Sequence, residues 1–98
     1  MTLPEDCTNL EEVRIEIDEL DYQIIAALGE RYKYVRVASK FKNREADVPA
    51  PERLSEMLAQ RRQWAESAGL NPDVIEKIYR DLVDYFIDEE LQHWRSQS

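Results

Sequence analysis

The chain has 98 residues and a formal net charge of −8, with charged residues at 35% and apolar residues at 43%. That length gives one domain, near the size at which a single core is marginal and a second chain often supplies the missing burial. The charge argues against general nucleic-acid binding; no apolar run approaches the ~20 residues needed to cross a bilayer, and no basic and apolar leader opens the chain, so the expected location is the cytoplasm. One cysteine (Cys7) and one histidine (His93) leave no intrachain disulfide, no His/Cys metal cluster and no conventional catalytic triad.

Residues 1–7 form a polar leader containing Pro4, expected to pack loosely. Thr8 followed by Glu11 fits a capping box, and the apolar residues Leu10, Val13, Ile17, Leu20, Ile24 and Ala27 recur at three-four spacing. The pattern predicts one long amphipathic helix over about 8–42, usable as a short coiled-coil seam. Arg31 continues that register where an apolar residue is expected, and Arg14 lies beside Val13 at the edge of the stripe. A guanidinium placed there is costly unless an anion pairs with it. The two arginines are separated by roughly 26 Å of helix at about 1.5 Å per residue, too far for one small ligand to touch both in one chain. Two such helices packed antiparallel about a two-fold near Tyr22 and Gln23 bring Arg14 of one to Arg31 of the other, making two equivalent anion sites. The plainer alternative is a pair of rim arginines bonded to nearby Glu or Asp. Gly29 weakens the helix by about 1 kcal/mol relative to Ala and marks a candidate close approach of backbone or ligand.

Six of the 13 basic residues, Arg31, Lys33, Arg36, Lys40, Lys42 and Arg44, fall within 31–44 with no acidic residue among them. This is either a funnel for a small anion or a solvated face. Pro49 and Pro51 then break the helix, leaving a loop over 43–50 that is either a lid or a connector.

Pro51 opens a second helix over about 51–68, with Leu54, Met57, Leu58, Trp64 and Ala65 inward and Gly69 just past its end. Arg53 occupies its first turn, an unfavourable place for a cation unless an anion lies nearby. Asn71 and Pro72 open a third helix over about 72–96. Its inward stripe runs Ile75, Ile78, Tyr79, Leu82, Val83, Phe86, Ile87, Leu91 and Trp94, and Glu90 falls on that stripe. No strand signal or repeat is present.

These residues are rich in guanidinium and ammonium groups and poor in nucleophiles. Such a set suits binding a small dicarboxylate and stabilising charge as it shifts within the ligand, rather than covalent catalysis.

The segments PEDCTNL, ALGERYKYVRVASKFK, PAPERLSEML, WAESAGL and FIDEELQHW, in this order and spacing, resemble the all-helical chorismate mutase family. The likeness is greatest to its isochorismate-pyruvate lyase branch of salicylate and siderophore biosynthesis. The resemblance implies an all-α, three-helix, intertwined homodimer of type II chorismate mutase fold. It implies that Arg14 of the partner and Arg31 hold the substrate carboxylates, with Arg53 also in the site and Lys42 donating to the ether oxygen as the carbon–oxygen bond breaks. Isochorismate would give salicylate and pyruvate, or chorismate would rearrange to prephenate, in either case without a cofactor or metal.

Two positions bear on that choice. Typical mutases carry a glutamate after the helix 2 arginine, where this chain has the aliphatic Leu54 that the lyase pattern prefers. The family's usual glutamine in helix 3 is replaced by Glu90, which can donate to the ether oxygen only when protonated and whose anion repels a dianionic substrate. The expectation is activity that rises toward mildly acidic pH and flattens in Glu90→Gln. A non-catalytic dimeric module binding small anions stays open as a further alternative.

Overall fold

The computed structural model describes residues 1–42, 44 and 50–96. They contain three α-helices, α1 (Leu10–Ala38), α2 (Pro51–Ser67) and α3 (Pro72–Ser96), and no strand. The chain divides into two compact units, Met1–Tyr34 and Val35–Ser98.

The first unit is built on α1. Its start lies later than the Thr8–Glu11 box predicts, because TNLEE holds two overlapping capping patterns and Asn9 with Glu12 is the one used. The Glu12 amide donates to Asn9 Oδ1 at 2.9 Å, while the Glu12 carboxylate accepts from the Thr8 amide and hydroxyl, each at 3.0 Å. The Thr8 amide, then its hydroxyl, holds the Glu12 carboxyl below its ordinary value. Acidic residues in this turn also complement the helix dipole. The leader is more ordered than expected: Pro4–Asp6 makes one 3-10 turn, and the Thr2 amide donates to Glu16 Oε1 at 3.0 Å. Cys7 is half-buried, its thiol donating to the Leu3 carbonyl at 3.6 Å.

Leu10, Val13, Ile17, Leu20 and Ile24 are all exposed, as are Ile15, Tyr22 and Ile25. The apolar seam read from the sequence therefore exists as a helix face that the described chain leaves in solvent. Leu28, Arg31, Tyr32 and Val35 are half-buried, a spacing of three and four that follows one side of the helix. A Cβ at Gly29 would meet nothing within 4 Å, so the described residues supply no close approach there.

The second unit is an α2–α3 hairpin preceded by the end of α1. Met57, Leu58 and Ala65 of α2 and Phe86 of α3 are buried and form its core. The connection is specified locally. Gly69, at φ 79°, donates to the Glu66 carbonyl and Leu70 to the Ala65 carbonyl, the two bonds of a Schellman motif. Asn71 then caps α3, its Oδ1 accepting from the Asp73 amide at 2.9 Å, with Pro72 in the first turn. Along one edge Arg62 reaches Asp73 at 2.9 Å and Glu76 at 3.2 Å, and Glu76 accepts from Arg80 at 3.0 Å. Arg80 first, then Arg62, holds the Glu76 carboxyl below its ordinary value. Trp64 and Ile78, expected inward, are exposed; Arg61 stacks over the Trp64 ring, its guanidinium carbon 4.6 Å from the ring centroid. Period alone marks an apolar side without telling what covers it.

Candidate active site

The chain leaves α1 through a change of helical pitch. Ser39 is 2% exposed and its hydroxyl donates to the Arg36 carbonyl at 2.6 Å, a side-chain bond that competes with the regular helical pattern. A 3-10 turn over Ser39–Phe41 follows, closed by the Lys42 amide on the Ser39 carbonyl, and Lys42 is already extended at φ −100°, ψ 133°. The sequence expectation of one helix to about residue 42 differs here: regular α-helix stops at Ala38, and Lys42 closes the 3-10 turn that follows.

Glu90 comes from α3, one turn beyond Phe86. Its side chain is 3% exposed, and the Lys42 ammonium donates to Oε1 at 2.9 Å and to Oε2 at 3.1 Å. Among the described residues Ser39 and Glu90 are the buried polar side chains. A carboxylate taken out of water needs a cation with good geometry, and Lys42, 22% exposed, supplies it. The pairing joins residues 48 positions apart. In the sequence its two ends are separate signals, Glu90 on the apolar stripe of the third helix and Lys42 within the basic stretch.

The other anticipated residues fall as follows. Arg14 is exposed and Arg31 half-buried, both on α1 in the first unit; Arg53 is exposed in the first turn of α2, in the same unit as Lys42 and Glu90. Leu54 is half-buried and His93 is half-buried on the last turns of α3. Part of the basic stretch is a solvated face, since Lys33 pairs with Glu30 at 2.9 Å where both are well exposed. The loop over 43–50, read as a lid or connector, lies outside the described residues except for Arg44 and Ala50. Among the described residues no group of three His, Cys, Asp or Glu is placed to hold a metal ion, and no helix is long and apolar enough to cross a membrane.

Chemically, the second unit offers an ammonium fixed against a buried carboxylate, with a further arginine on α2. The first offers two guanidinium groups on one helix.

Comparison with known proteins adds to this. The family model for chorismate mutase type II matches residues 13–91, a span that contains Arg14, Arg31, Lys42, Arg53 and Glu90. The chain is 44% identical over 95 residues to the isochorismate pyruvate lyase of Pseudomonas aeruginosa, covering 97% of this chain and 94% of that protein. It is 39% identical over 72 residues to the T-protein of Haemophilus influenzae and 36% identical over 72 residues to that of Enterobacter agglomerans, in each case covering 72% of this chain and 19% of the relative.

Proposed function

The chain belongs to the chorismate mutase type II family, and from that premise we propose that it is an isochorismate pyruvate lyase with secondary chorismate mutase activity. The observation that carries this reading is the likeness to a lyase along nearly the whole length of both chains. In the lyase reaction the ring carbon–oxygen bond of isochorismate breaks as a ring hydrogen passes to the departing enolpyruvyl group. Salicylate and pyruvate account for every atom. Such a unimolecular step needs a fixed conformer and donors aimed at the oxygen that gains charge, and no nucleophile or cofactor.

In this reading Arg31 and the Arg14 of a second copy each take a substrate carboxylate, because a guanidinium matches a carboxylate with two parallel hydrogen bonds. Arg53 adds positive potential at the α2 end. Lys42 donates to the ether oxygen. A homodimer is required, since Arg14 and Arg31 of one chain are roughly 26 Å apart along α1. The exposed apolar row of α1 supports it, because a second helix is the natural cover for such a face. The working place is the cytoplasm.

Chorismate mutase is the second reading, favoured by the family description itself; the aliphatic Leu54 after Arg53 supports the lyase. The test is incubation of the purified protein with isochorismate and with chorismate separately, following salicylate fluorescence and prephenate. Salicylate well above the spontaneous rate is the expected result. Prephenate alone moves the chain to the mutases, and neither product removes the enzymatic reading.

A further inference from the structure

We infer that Glu90 is a positioning residue that seats Lys42 before substrate arrives, and that it acts through the lysine rather than by giving a proton to the substrate. This rests on the lyase reading of the same site and departs from the expectation that a glutamate here works as a protonated donor.

Three observations lead to it. Both Glu90 oxygens accept from the one ammonium, at 2.9 and 3.1 Å, so the carboxyl group faces Lys42 with acceptors only. Glu90 is 3% exposed within the regular helix α3, one turn from the buried Phe86, whereas Lys42 follows a 3-10 turn on extended backbone. The partner held within a hydrogen-bonded helix therefore positions the one that lies outside it. A lysine side chain carries about 2 kcal/mol of rotamer entropy, and an ammonium without such an anchor samples many positions.

A glutamine could not do the same in the same way. Its amide offers one oxygen to the ammonium, and its NH2 would set hydrogens against hydrogens. The carboxylate also cancels the local charge of Lys42. Glu90 thereby costs the site some ground-state attraction for a dianion, while Lys42 stays placed for the transition state, where charge develops on the ether oxygen. The exchange is weaker binding for a better-aimed donor.

The experiment has two arms. In the first, kcat and KM are measured for the wild type, Glu90→Gln, Lys42→Ala and the double variant, with thermal melts of each. Loss of a charge-assisted bond predicts a fall in kcat of about tenfold or more for Glu90→Gln, with KM unchanged or lower. In the Lys42→Ala background the same change alters kcat by no more than about twofold, because a residue acting through another has nothing left to act on. Faster turnover in Glu90→Gln, or an undiminished effect without Lys42, overturns the inference. In the second arm, brief acetic anhydride labelling read by mass spectrometry compares Lys42 with Lys33 and Lys77 in the same molecule. Wild-type Lys42 lags both, and in Glu90→Gln its relative labelling rises by about threefold or more, as expected when a partly desolvated ion pair is broken. Unchanged relative labelling of Lys42 overturns the inference whether or not the variant is active. Because labelling needs no turnover, failure of the lyase reading is seen separately, as absence of salicylate from the wild type.

Discussion

The α2–α3 hairpin and the first unit's stretch of α1 carry similar amphipathic arithmetic and end in opposite states. The hairpin closes on itself: Met57, Leu58, Ala65 and Phe86 are buried, an ion-pair chain runs from Arg62 to Arg80, and its turn is fixed by local bonds. On α1 the row from Leu10 to Ile24 is just as regular and stays exposed. Amphipathic spacing states that a helix has an apolar side. It does not state whether the cover comes from the same chain. Where a short turn returns the next helix antiparallel, cover is local; a helix of 29 residues, about 44 Å at 1.5 Å per residue, has no such turn beside its first half.

The strongest way to break the hairpin's side of this contrast is Phe86→Ala, which leaves a cavity in the core and is expected to cost about 3–5 kcal/mol in urea unfolding. On the α1 side Leu20→Ala sharpens the contrast. If the row stays in water the cost is within about 0.5 kcal/mol, as for ordinary surface changes. The expected result is about 2 kcal/mol or more, growing as protein is diluted, because a leucine buried between two copies links stability to concentration. Light scattering on the same samples should show the dimer dissociating at higher concentration than the wild type. A smaller effect belongs to the turn: Gly69→Ala forces a left-handed backbone on alanine and costs about 1 kcal/mol, with no steric clash to add because its Cβ has open space.

The smallest effect is a slope. Because the folded Glu76 carboxyl is held below its unfolded value of 4.5, its contribution is present above that value and lost as pH falls through the folded one. Glu76→Gln should flatten the acid side of the melting temperature against pH, and an unchanged slope would show that the Arg62–Glu76–Arg80 chain adds nothing measurable.

Much of the fold was legible because its signals are local. Asn71–Pro72, Gly69 and the Phe86 stripe each declare themselves within one turn of helix, and the three helices lie close to where they were expected. The start of α1 differs by about one residue from the Thr8–Glu11 pattern because TNLEE can cap in two registers and only the chain's actual path selects Asn9. The Thr2–Glu16 bond has no sequence signal, because a polar leader has no period to read. In the site, Lys42 and Glu90 each stood out alone, one ending a basic stretch and the other interrupting an apolar stripe. Their contact is non-local, and no pattern within a single helix encodes it.

The turn from Gly69 to Pro72 also has a meaning in time. Both helix ends there are completed by bonds spanning two to five residues, so the hairpin's ordering demands almost no search through distant chain. Contacts of short sequence separation form in microseconds to milliseconds, whereas assembly between chains waits on their encounter and slows as they become scarce. If a second copy covers the apolar row of α1, a newly made chain completes its hairpin before that cover arrives, and the interval between the two is when exposed apolar surface invites aggregation.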